Sequence, residues 1–316
     1  MSVRLVFVIL IAWLFSAGST FAQSCSFTMT DINFGSVNLS VGGTPLTSGT
    51  FTAICTGTPN STIAICPNIG DGTGGSNSGN PRLMGNGPRS LPYNLYQPSG
   101  QIWGSYVWPY APLPPILSLT LNGSGNGSLT QSMSAQITGT LALAPAGVYR
   151  SVYNGKNTLI DYGYAPAQNC KVVSTRAARA PFTVSAINNN SCNISATPMS
   201  FGTRTDLNSA QIASNQISIT CTNGVKYNVG LSNGTNGGTS PIKRFLSNAG
   251  SGQKISYGIY QNAGLNQPWG STAGADMIAG TATGLTQVYN AYGQIPVQAT
   301  PPGGSYADTV VITLNY

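Results

Sequence analysis

"CSFTMTDINFG" (25–35) and "CNISATPMSFG" (192–202) set a cysteine and a Phe-Gly pair at the same spacing in two parts of one chain. The recurrence continues outward from them. "FTAIC" (51–55) answers "ISITC" (217–221), and "LPYNLYQPSGQIWGS" (91–105) answers "ISYGIYQNAGLNQPWGS" (255–271). "ITGTLALAPAGVYRSVY" (137–153) answers "YGQIPVQATPPGGSYADTVVI" (292–312) with small gaps. Four blocks in one order mark an internal duplication. The polar run Asn188-Asn189-Asn190-Ser191 falls between the copies, so the expected division is a first domain over 23–187, a linker over 188–191 and a second domain over 192–316.

Within each copy, short runs rich in Thr, Val, Ile and Tyr are bounded by Gly, Pro and Asn. Branched and aromatic residues suit a pleated strand, and Gly, Pro and Asn suit the turns between strands. The expected fold is therefore all-β, two immunoglobulin-like β-sandwiches in tandem. Each copy carries one cysteine at each of two matching places, which singles out the pairs Cys25–Cys55 and Cys192–Cys221. Cys66 and Cys170 have no counterparts in the second copy and are left to pair with each other. Sequence alone does not prove this connectivity. A bridge closing a loop of roughly 30 residues stabilises by about 3 to 4 kcal/mol in the chain-entropy model.

The first residues predict export. Arg4 precedes an apolar run from Leu5 to Ala17, and Thr20-Phe21-Ala22 supplies a small-residue cleavage site. That run is too short to span a bilayer and reads as a signal peptide over 1–22. Export agrees with the use of cysteine, since disulfides persist in oxidising compartments. Cleavage after Ala22 leaves only Gln23 and Ser24 before Cys25.

The chain has a net charge of +7 from 13 Lys and Arg against 6 Asp, with no Glu and no His. The basic residues are scattered, so no nucleic-acid partner is expected. Without histidine there is no Ser-His-Asp or Cys-His catalysis and no histidine zinc site. The dispersed aspartates offer no glycosidase pair. "GDGTGGSNSGN" (70–80) has one acid and does not recur, so it reads as a loop rather than a calcium repeat. No enzyme activity and no cofactor are expected.

The copies differ at their ends. In "YADTVVITLNY" (306–316), Val310, Ile312, Leu314 and Tyr316 alternate with Val311, Thr313 and Asn315, the period of a strand with one apolar face. The first copy runs past its matching strand to "APFTVSAIN" (180–188), where Phe182, Val184 and Ala186 alternate again. The second sandwich is thus expected to lack its last strand. A sandwich short of a strand exposes core and an unpaired edge, and a strand from another chain is one remedy. The alternative is a fold that needs one strand fewer.

"SCNIS…MSFG", "ISITCTNGVKYNVGLSNG", "ISYGIYQ…PWG" and "GGSYADTVVITLNY" together resemble the spore coat protein U domain. The resemblance is specific from Cys192 to Tyr316 and weaker, though ordered, in the first copy. It implies subunits of archaic chaperone–usher pili with an incomplete immunoglobulin-like fold. A periplasmic chaperone holds each subunit, an outer-membrane usher assembles it, and the N-terminal strand of an adjacent pilin then completes it. Two-domain members are implied to sit at the pilus tip on the cell surface, with an N-terminal adhesin domain and a C-terminal pilin domain. Val310, Ile312, Leu314 and Tyr316 are then expected at the chaperone and donor-strand interface. With only Gln23 and Ser24 ahead of Cys25, the chain is expected to accept a strand but not to donate one, since even a short strand needs about five residues.

One loop stands apart. After "WGS" the second copy reads "TAGADMIAGTATG" (272–284), whereas the first reads "YVWPYAPLPPILSLTLNG" (106–123). Prolines stiffen a loop and lower the cost of ordering it on binding. Tyr106, Val107, Trp108, Tyr110, Leu113 and Ile116 are the candidate contacts to an abiotic or host surface, supporting attachment and biofilm formation. Ala144–Val148 and Ile63–Ile65 are weaker candidates for neighbouring loops. Against this stands a loop folded back on its own sandwich. A carbohydrate-binding module stacking sugars on Trp103, Trp108 and Tyr110, or a structural coat protein, are the alternative functions.

Overall fold

The computed structural model describes residues 22–39, 43–77, 80–108, 112–139, 141–165, 170 and 176–316. The apolar run Leu5–Ala17, and Tyr110 of the loop, lie outside these residues. The chain is all-β, with one short 3-10 turn at Gly155–Thr158 among the described residues.

The first copy forms β1 (Ser24–Met29), β2 (Ile32–Val37), β3 (Leu46–Thr56), β4 (Thr62–Pro67), β5 (Arg82–Asn86), β6 (Arg89–Tyr96), β7 (Leu117–Thr120), β8 (Asn126–Ile137), β9 (Gly147–Tyr153), β10 (Leu159–Tyr164), β11 (Arg176–Arg179) and β12 (Phe182–Asn188). The second forms β13 (Cys192–Ala196), β14 (Gln211–Cys221), β15 (Lys226–Leu231), β16 (Arg244–Ser247), β17 (Lys254–Tyr260), β18 (Ile278–Thr281), β19 (Gln287–Ile295) and β20 (Ile312–Asn315). In the first sandwich, an eight-stranded sheet in the order β1-β3-β8-β6-β5-β9-β12-β2 faces a four-stranded sheet β11-β10-β4-β7. In the second, a five-stranded sheet β13-β14-β19-β17-β16 faces a three-stranded sheet β18-β15-β20.

Strand alternation builds each core, because successive side chains of a strand point to opposite faces. On β3, Phe51, Ala53 and Cys55 point inward, and on β8 so do Met133, Ala135 and Ile137. Ile63, Ala64 and Ile65 are buried in β4, so they are core and not the loop contacts expected of them. Disulfides join Cys25–Cys55, Cys66–Cys170 and Cys192–Cys221, the pairs singled out by the repeat.

The segment 141–146 is not part of an adhesive end either; it meets the second sandwich. Asn223 Nδ2 donates to the Leu143 carbonyl at 2.7 Å, and Pro145 pairs with Asn223 in an isolated parallel bridge. Gly284 (φ +84) lies so close that an added Cβ would stand 1.9 Å from the Ala142 oxygen. Buried Thr222 ties down the stretch between the sandwiches. Its hydroxyl donates to the Asn189 carbonyl at 3.0 Å and accepts from the Ser191 amide at 3.1 Å.

Candidate functional sites

Both sandwiches are built around a buried arginine. Arg82 opens β5 and Arg244 opens β16, and each is fully buried. Arg82 donates to the carbonyls of Gly70 (2.7 Å), Ile69 (2.7 Å) and Trp103 (2.6 Å). Arg244 donates to those of Ser232 (2.8 Å), Leu231 (3.2 Å), Trp269 (2.8 Å) and Pro241. The two tryptophans are themselves buried. Trp103 Nε1 donates to the Pro67 carbonyl at 2.9 Å, and Trp269 Nε1 to that of Val229 at 3.0 Å. A buried polar group is tolerable only when hydrogen-bonded, and here irregular backbone supplies the acceptors. Burial lowers the pKa of both guanidinium groups from the usual arginine range.

The proline-rich loop grows from this frame in the first sandwich. Its base is fixed by Ser105, whose hydroxyl donates to Asn68 Oδ1 at 2.7 Å, and by the Tyr106 amide on the same oxygen at 2.9 Å. The Tyr106 hydroxyl donates to Asp161 Oδ2, and burial, then this bond, raises its pKa. The Ser105 amide reaches the Pro112 carbonyl at 2.8 Å, which closes the loop across its neck. Trp108 corrects the sequence reading. It is 2 % exposed, with its ring stacked over Arg82, and is not displayed to a surface. The cause is that Arg82 leaves Nη1 with no hydrogen-bond partner among the described residues, and an aromatic face answers a buried cation. Ile116 also turns inward, against Ala64, Cys66 and Cys170. Val107 and Leu113 do face solvent, 37 % and 39 % exposed. The loop is thus half strap and half display.

The second sandwich differs where β12 sits in the first. There β12 runs antiparallel to β9 and parallel to β2. The counterparts of β9 and β2 in the second sandwich can be identified residue by residue. Tyr149 donates its hydroxyl to the Pro145 carbonyl at 2.8 Å, and Tyr306 donates to that of Pro302 at 2.7 Å. Gly85 bridges Arg150, as Ser247 bridges Ala307. Gly35 and Gly202, in the matched Phe-Gly pairs, have φ of +66° and +68°. Between the segments 199–207 and 300–308 lies a groove of about 850 Å³ with Leu246, Ile255 and Ile295 among its lining. It continues into a cavity of about 300 Å³ lined by Val310, Ile312, Met199 and Phe201. Ile32, Tyr149 and Tyr153 of the first core are 0 % exposed, whereas Met199, Tyr306 and Val310 are only partly buried against theirs. Ile312 and Leu314 are likewise half-buried and pack on the second core, while Tyr316 is 61 % exposed.

A family model, the Spore Coat Protein U domain, matches residues 11–154 and again 178–313. The chain belongs to that family. The first match ends ahead of β10 and the second begins within β11, so β12 of the first sandwich falls in the second match, while the arginine–tryptophan frame recurs in both. By fold the chain is similar to the crystal structure of the CsuC–CsuE chaperone–tip adhesion subunit pre-assembly complex from archaic Csu pili of Acinetobacter baumannii. That match has 16 % identity and a TM-score of 0.55 over 93 % of this chain and 100 % of the other. The CupB6 tip adhesin from Pseudomonas aeruginosa matches at 13 % identity and a TM-score of 0.39, over 93 % and 94 % of the two chains. No curated protein matches by sequence.

Arg82 and Arg244 are what sequence reasoning missed in these Spore Coat Protein U domains. A lone arginine reads as solvated surface, and its partners here are backbone carbonyls, which carry no sequence mark. The usable signal was that, in a chain with only 13 Lys and Arg, both copies keep an arginine ahead of the matching Tyr-Gln and Trp-Gly-Ser blocks.

Proposed function

We propose that the chain is the tip subunit of a chaperone–usher pilus, exported through the periplasm and displayed at the cell surface. In this reading the adhesin domain runs to Asn188, which closes β12 rather than opening the linker as expected, 189–191 is the linker and 192–316 the pilin domain. The observation that carries it is the groove between 199–207 and 300–310, which lies where the first sandwich holds β12. Met199, Phe201, Val310 and Ile312 give the cavity that continues it an apolar lining. A periplasmic chaperone fills it first, and an adjacent pilin, delivered at the usher, fills it in the fibre. In this reading the first sandwich is the free end of the fibre.

Attachment is assigned to the display side of the loop, Val107 and Leu113, with Tyr110 beside them in sequence. Each large apolar side chain taken from water contributes roughly 1.5 to 3 kcal/mol. The sugar-binding alternative loses support, since Trp103 and Trp108, two of its three stacking rings, are buried. The test is co-expression with a chaperone of an archaic chaperone–usher pilus. A one-to-one complex is expected, and a chain that folds to a stable monomer alone and ignores the chaperone would overturn the reading.

A further inference from the structure

Resting on the acceptor reading above, the first sandwich supplies a template for the strand that the second accepts. On β12, Phe182 lies opposite Tyr153, Val184 opposite Ser151, Ala186 opposite Tyr149 and Asn188 opposite Gly147. Because Tyr149 matches Tyr306 through its bond to a proline carbonyl, the same positions in the groove face Val310, Asp308, Tyr306 and Gly304. The last position differs from the others in chemistry. Asn188 is 1 % exposed, and its Nδ2 donates to the carbonyls of Ala144 at 3.0 Å and Pro145 at 3.1 Å. Pro301 and Pro302 are the counterparts of that pair, and both line the end of the groove. A strand entering there takes the Pro301 carbonyl from water, while the Pro302 carbonyl keeps the Tyr306 hydroxyl as one donor, and a carbonyl buried without a donor is costly.

We propose that the strand completing the second sandwich carries an amide side chain, asparagine or glutamine, six residues after a large apolar residue. It runs parallel to 199–204 and antiparallel to 304–310, as β12 does against β2 and β9. The large apolar residue packs on Val310 and a small one passes Tyr306. The amide donates to the Pro301 and Pro302 carbonyls, so it fixes register: a slip by one residue turns every apolar side chain to the wrong face.

The test uses the full chain extended after Tyr316 by a flexible linker of about ten residues, which reaches up to about 33 Å, and the sequence APFTVSAIN of β12 (180–188). Melting temperature and hydrogen exchange of 199–204 and 304–310 are read. The fused strand is expected to raise the melting temperature and protect both segments. Changing its final Asn to Ala or Leu is expected to raise the rate of strand opening about tenfold, from the loss of a buried hydrogen bond. Gln at that place should restore part of it. If Ala and Leu versions protect as well as Asn, the amide proposal is overturned while the acceptor reading stands. If no fused strand stabilises or protects the chain, the acceptor reading itself falls.

Discussion

The Arg82 guanidinium carbon lies 4.2 Å from the centroid of the Trp108 ring, and both side chains are buried. In the second sandwich Arg244 has no such ring above it among the described residues and uses the Pro241 carbonyl instead. The loop that distinguishes the two copies is therefore bolted to the one feature they share most closely.

Trp108→Ala should destabilise the first sandwich by about 3 to 5 kcal/mol, the usual cost of deleting a buried large aromatic. It also uncovers a cation whose Nη1 has no other partner among the described residues. Chemical denaturation of the purified protein checks this. A change below 1 kcal/mol would mean that the ring is not a structural strap.

Val107→Asn with Leu113→Asn should do the reverse. Both side chains face solvent, so stability should shift by no more than about 0.5 kcal/mol. Binding of the purified protein to hydrophobic beads should fall at least tenfold, a loss of about 1.4 kcal/mol. Unchanged binding would move the contact to another part of the first sandwich.

Arg82→Met and Arg244→Met should each cost at least about 3 kcal/mol, because each strands several buried carbonyls without a donor. Lysine should not rescue either, since an ammonium cannot span carbonyls arranged for a planar fork. Protease susceptibility mapped by mass spectrometry should localise the damage, to the first sandwich for Arg82 and to the second for Arg244.

Stability should fall on the alkaline side. Tyr93, Tyr106, Tyr153, Tyr227 and Tyr257 all have raised pKa values, with burial the leading cause. A tyrosine with a raised folded pKa contributes stability that is complete below its unfolded value, about 10. That contribution is lost as pH climbs through the folded value. Melting temperature should hold to about pH 9.5 and then decline, more gently in Tyr106→Phe. A flat profile to pH 11 would contradict it.

The duplication, the strands and the three bridges were legible because cysteines, Phe-Gly and Trp-Gly-Ser are sparse and distinctive. The edge strand at 312–315 was legible from its period, as was β12. The loop was half legible. Its prolines marked it as an irregular connection, but nothing local told Val107, which points out, from Trp108, which points in. That choice is made by Arg82, 26 residues upstream by number, through an interaction no periodicity reveals. Ala144 and Pro145 read as loop surface because the surface they cover belongs to the other sandwich.

In the proposed role as a fibre tip, the joint between the sandwiches bears on behaviour under tension. Residues 189–191 are too few to act as a slack tether, and Thr222, Asn223 and Gly284 brace them from the side. A pull entering at the groove of one sandwich and resisted at the loop of the other passes through hydrogen bonds on both flanks of that joint. In the proposed role these contacts would make the two sandwiches pull as one lever, leaving compliance to the strand and subunit beyond the groove.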